Sequence, residues 1–143
     1  MTLNRRASRL GTSLFLIALL LILPQCSSKS PAEHIENGLA YMEESRYLDA
    51  QHSFMQAIDA APKSAEGYYH LGGAFNAQQQ YEKAVEQFNT SIRLDPTHYD
   101  AHYSLGYALE QLGNKEEAEK HYALFKRLSE MSHRLEAKRK APG

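Results

Sequence analysis

A chain of 143 residues, with 43% hydrophobic and 23% charged side chains, has room for one modest domain of ordinary globular composition. A formal net charge of −1 excludes the strongly basic balance of a nucleic-acid-binding chain, and a single cysteine, Cys26, excludes an internal disulfide. The charge is unevenly spread: residues 26–125 hold seven basic and fifteen acidic residues, whereas residues 126–140 hold six basic and two acidic.

Residues 1–25 read as a signal peptide. Arg5, Arg6 and Arg9 form a basic start, and ten consecutive apolar residues follow, from Leu14 to Leu23. As a helix that run spans about 15 Å, half of the roughly 30 Å of a bilayer core, so it suits an export signal better than a membrane span. Leu23-Pro24-Gln25-Cys26 resembles the lipobox of bacterial lipoproteins, with Gln25 standing where a small residue is usual. The resemblance implies cleavage before Cys26, lipidation of its sulfur and acylation of the new N-terminus. Ser27-Ser28-Lys29-Ser30 then serves as a tether, so that residues 26–30 link anchor to domain. Several acyl chains at about 0.8 kcal/mol per buried CH₂ make a stable anchor where one is marginal. The alternatives are a plain secretory peptide and an uncleaved anchor. Ser27, rather than Asp, after the cysteine favours the outer membrane facing the periplasm, over inner-membrane anchoring or secretion.

Residues 31–132 repeat themselves. Segments 31–64, 65–98 and 99–132 align without a gap at an offset of 34 residues. The middle copy carries Tyr68, Leu71, Gly72, Phe75, Ala84, Phe88 and Pro96; the first carries His34, Asn37, Gly38, Tyr41, Ala50, Phe54 and Pro62. The third carries His102, Leu105, Gly106, Leu109, Ala118 and Tyr122 and has no closing proline. This period and pattern resemble the tetratricopeptide repeat. The resemblance implies an all-α, right-handed superhelical solenoid of three helix-turn-helix repeats. Helices are expected near 32–44, 47–61, 66–78, 81–94, 99–112 and 115–139. Turns are expected at Ser45-Arg46, Gln79-Gln80 and Gly113-Asn114. The small residues let paired helices approach, the aromatic ones fill the gap, and Pro62 and Pro96 stop the second helices.

The family's first helices line a concave surface that receives a peptide or partner helix. The resemblance carries that groove onto Ile35, Leu39, Met42, Tyr69, Asn76, Tyr103, Tyr107 and Glu110. Tyrosine offers apolar area with a polar tip, as binding surfaces prefer. One subclass clamps a chaperone's C-terminal carboxylate with Lys, Asn and Arg. Here Ile35, Leu39, His70, Asp100 and Ser104 hold those places, which disfavours that role. The expected partners are other proteins of the envelope, in assembly of a pilus, secretin or outer-membrane machine, with no nucleic acid, no cofactor and no catalysis. The rival readings are a purely structural envelope protein and a metal-binding or accessory enzyme component built on His98 and His102. Those histidines share a helix face, but the intervening Tyr99-Asp100-Ala101 is not a zinc-protease motif.

Residues 133–143 form a basic helical tail. Ala118, Tyr122, Phe125, Leu128, Met131 and Leu135 recur at three or four residues, one helical stripe extending the last helix. Lys126 and Glu119 stand where Ile92 and Val85 of the second repeat would meet a successor, which marks a terminal repeat facing water and a monomeric domain.

Overall fold

The computed structural model describes residues 29–140. The stretch expected to be a signal peptide and Cys26 lie outside them, as do Ser27 and Ser28 of the expected tether and residues 141–143. The described chain is six helices with no strand: α1 (Pro31–Glu43), α2 (Tyr47–Ala60), α3 (Ala65–Ala77), α4 (Tyr81–Leu94), α5 (Tyr99–Gln111) and α6 (Lys115–Lys140). None of these is long and apolar enough to cross a membrane. Every expected helix is present, with ends within a residue of the sequence reading.

Helix starts follow local chemistry. Ser30 begins α1 with a reciprocal box: Glu33 N–H donates to Ser30 Oγ at 3.2 Å, and Ser30 N–H donates to Glu33 Oε2 at 2.6 Å. These bonds hold the Glu33 carboxyl below its usual range. Helix α5 is capped by His98, whose Nδ1 accepts from Ala101 N–H at 3.3 Å.

The turn inside each repeat is built the same way three times. Arg46, Gln80 and Asn114 donate their N–H groups to Tyr41, Phe75 and Leu109 carbonyls at 2.8, 2.9 and 2.9 Å. Each bond spans the residue that reverses the backbone, with φ of 59° at Ser45, 59° at Gln79 and 83° at Gly113. That left-handed conformation closes a helix and suits glycine, which only the third copy supplies.

Helices pack in sequence, α1 on α2, α3 on α4 and α5 on α6, with α2 on α3 and α4 on α5 joining the repeats. The first helices also touch one another, α1 with α3 and α3 with α5, while the second helices do not. The first helices therefore form the inner face of a curved solenoid. Phe54 and Phe88 are fully buried between their paired helices, against Ala50 and Ala84. Gly38 and Gly72 make the approach possible: a Cβ would sit 2.3 Å from Phe54 Cε1 and 2.6 Å from Phe88 Cε1. At Gly106 it would sit 2.8 Å from Tyr122 Cε1. Ile58 and Ile92 pack at the joints between repeats, whereas Lys126, at the same place in the third, is exposed. Helix α6 runs past the end of the pattern, as the missing proline allows. Its stripe is half-buried at Leu124, Phe125 and Leu128 and exposed at Met131 and Leu135.

Candidate protein-binding groove

The inner face opens into a cleft of about 310 Å³ between α1, α3 and α5. Leu39, Met42, Tyr69, His70, Gly73, Asn76 and Ser104 line it, and Phe54 and Phe88 form its floor. Four of the eight residues assigned to the groove from the sequence, Leu39, Met42, Tyr69 and Asn76, meet there. The others divide. Ile35 is half-buried and packs, as Met42 does, on the core cluster of Ala50, Phe54, Leu71 and Ala74, but is not among the residues lining the cleft. Tyr103 and Tyr107 lie on α5 beyond the cleft and are 51% and 40% exposed. Glu110 accepts a hydrogen bond from Tyr122 Oη at 2.9 Å.

Tyr69 is the hub of the cleft. Its ring lies 5.0 Å from His70, 6.1 Å from Phe88 and 4.6 Å from His98, centroid to centroid. Burial raises its phenol pKa, and the negative charges of Asp100 and Glu66 raise it further. His70 stacks on Phe54 at 5.4 Å; its burial lowers its pKa, against the pull of Glu66 at 3.5 Å. A second tyrosine group continues along the face. Tyr103 lies 5.6 Å from Tyr122 and 5.2 Å from Phe125, and Tyr107 lies 6.3 Å from Tyr81. Burial and the Glu110 carboxylate push the Tyr122 phenol up to about 12.

Asn76 Oδ1 is shut off from water and has no hydrogen-bond donor. A buried acceptor in that state costs about 1–3 kcal/mol. Gly73 faces open space: a Cβ there would meet nothing within 4 Å. Gly72 shares its place in the repeat with Gly38 and Gly106, whereas Gly73 aligns with Leu39 and Tyr107, and the geometry separates seam glycine from cleft glycine in the same way.

The two histidines considered for a metal face different tasks. His98 caps α5. His102 is buried and meets His121 of α6 with Nδ1 atoms 3.0 Å apart. Its Nε2 lies 3.3 Å from the Pro96 carbonyl, which can only accept, so Nε2 carries the hydrogen. His102 Nδ1 then accepts from His121 Nδ1–H. Burial lowers both pKa values, keeping the pair neutral. Among the described residues no three metal-ligating side chains gather. The His102–His121 contact links different helices at unrelated places in the repeat, and no sequence signal pointed to it.

Two family models match the chain: one described as TPR repeat over residues 72–113, and one described as Tetratricopeptide repeat over residues 99–130. No curated protein matches it in sequence. Among solved structures, it is similar to the second TPR of Spaghetti (RPAP3) bound to the HSP90 peptide SRMEEVD. That match has 23% identity, covers 70% of this chain and 93% of the other, and has a TM-score of 0.68. The TPR2B domain of yeast Sti1, in a complex with pHsp70, superposes with a TM-score of 0.70 at 19% identity, covering 77% and 88% of the two chains. MamA matches at 25% identity and a TM-score of 0.68, over 73% of this chain and 61% of its own. With three ungapped copies of the pattern folded as three helical hairpins, and two family models matching within residues 72–130, the chain carries tetratricopeptide repeats.

Proposed function

We propose that this protein is a lipid-anchored adaptor of a bacterial envelope, holding a segment of another envelope protein in its concave face and catalysing nothing itself. The cleft carries the reading. It is open, has Phe54 and Phe88 at its floor and Tyr69 at its hub, and lies beside the exposed rings of Tyr103 and Tyr107. That is the chemistry of a surface that takes up a peptide or helix rather than one that turns over a substrate. Two solved structures of the same fold are complexes: the Spaghetti domain is bound to the HSP90 peptide SRMEEVD, and the yeast domain is in a complex with pHsp70. Anchor and groove together would hold a partner at the membrane, and the N-terminal sequence favours the outer membrane, facing the periplasm.

Two measurements test the two halves. Cys26→Ser should abolish metabolic lipid labelling and release the protein from the membrane fraction; unchanged labelling would refute the anchor. Replacing Tyr69 and Tyr103 together by Ala should weaken capture of cross-linked envelope partners by about 1–2 kcal/mol or more, with helicity retained. Full-strength capture by that folded variant would place the contact elsewhere.

A further inference from the structure

The inner helices carry acid and no lysine or arginine, a bias shared by α2 but not by α4 or α6, which carry both signs. Helices α1, α3 and α5 carry Glu33, Glu36, Glu43, Glu66, Asp100 and Glu110 and not one lysine or arginine. All the basic residues of the described chain lie on the second helices, the connections and Lys29. The bias reaches the cleft itself. Glu66 and Asp100 both act on the Tyr69 phenol, and Glu110 acts on Tyr122 beside Tyr103. Glu36 is exposed and holds, in the first repeat, the sixth place that His70 and Ser104 hold in lining the cleft. None of these carboxylates is paired with a lysine or arginine; the described ion pairs of Arg46, Lys120 and Lys140 involve other acids.

We propose that the segment this groove takes is cationic, with lysine or arginine set among apolar side chains. This rests on the groove reading above and deepens it. An acidic peptide such as the SRMEEVD bound by the Spaghetti domain would meet like charge along this inner face. A cationic one gains at each step. Its apolar side chains cover Leu39 and Met42, and its ammonium or guanidinium groups reach Glu36, Glu66 and Asp100. The exposed rings of Tyr103 and Tyr107 offer cation–π faces.

The test uses the full-length protein in detergent and three short fluorescent peptides. They share one spacing of Leu and Tyr and carry Lys, Gln or Glu at the same remaining positions. Fluorescence polarisation should show the Lys peptide binding about tenfold or more tighter than the Gln peptide in about 50 mM salt, with the Glu peptide weakest. The gap should shrink in about 300 mM salt. It should also close in a variant combining Glu36→Gln, Glu66→Gln and Asp100→Asn. Equal binding of Lys and Gln peptides, lost in the Tyr69→Ala, Tyr103→Ala variant, would overturn the charge inference and leave the groove reading intact. Lys-peptide binding that ignores both tyrosines, or no binding by any of the peptides, would overturn both.

Discussion

The seams between paired helices and the concave face share the helices α1, α3 and α5, yet only the seams repeat. In each seam a glycine on the first helix faces an aromatic ring on the second: Gly38 with Phe54, Gly72 with Phe88, Gly106 with Tyr122. On the concave face the corresponding places change from copy to copy, from Leu39 and Met42 to Gly73 and Asn76 to Tyr107 and Glu110. A seam poses one steric problem three times, so one solution recurs. The face poses none to the fold, so its residues are free to answer to a partner. This division locates function without reference to any relative.

The largest expected effect comes from emptying a seam. Phe88 is fully buried at the centre of the three repeats and touches the floor of the cleft. Phe88→Ala should cost about 3–5 kcal/mol, a large share of the stability of so small a domain. Urea unfolding followed by circular dichroism measures it. Tyr122→Ala should cost less, because the ring is only half-buried and its hydroxyl is spent on an exposed glutamate. Equal losses would mean that the third repeat is no weaker than the second, against the packing described above.

Crowding the same seam comes next. At Gly72 an added methyl would sit 2.6 Å from the Phe88 ring, which has no room to withdraw. Gly72→Ala should therefore destabilise by about 1–3 kcal/mol through overpacking, outweighing the roughly 1 kcal/mol that alanine gains in helix propensity. A midpoint shift in urea reads the sign directly.

Much of this was legible in the sequence. The period, the glycine–aromatic pairing and the closing prolines gave helix bounds correct to a residue, because each reports a local steric rule. The overrun of α6 was legible in the absence of a third proline. The concave face was legible only as a set of places. That Ile35 does not line the cleft, that Tyr122 ties Glu110, and that His102 meets His121 depend on distances between helices, which no periodicity encodes. Asn76 could be placed on the groove by its position, but its lack of a donor is a property of its neighbours.

Protonation distinguishes seam from face in a gentler way. His102 and His121 lie in the third seam and His70 beside the cleft, all with pKa values lowered by burial from the usual 6.5. The unfolded chain then binds protons that the folded chain refuses. Stability from these groups is fully present above pH 6.5 and is lost as pH falls below it toward the folded values. The third seam should feel this most, because a proton on His102 Nδ1 breaks its bond to His121, whereas a proton on His121 Nε2 meets Glu117 at 3.9 Å. Urea midpoints should fall between about pH 7 and 5, and less steeply in a variant with His102→Gln and His121→Gln. An equal slope in that variant would assign the loss to other groups.

The smallest effect is the sharpest comparison, because it repeats the Gly72 substitution one residue along. Gly73 lies in the same helix, but a Cβ there meets nothing within 4 Å and points into the cleft. With no clash to oppose it, alanine should bring only its helix-propensity gain, so Gly73→Ala should stabilise by about 0.5–1 kcal/mol. The same methyl narrows the cleft between Leu39 and Asn76, so the stabilised protein should hold its partner less well. Opposite signs for Gly72→Ala and Gly73→Ala in one urea experiment would separate a glycine kept for packing from a glycine kept for binding. If both destabilise, the inner helix is more tightly enclosed at Gly73 than its open surroundings imply. If Gly73→Ala stabilises without weakening capture, the partner does not enter the cleft at that point, and the contact runs along Tyr103 and Tyr107 instead.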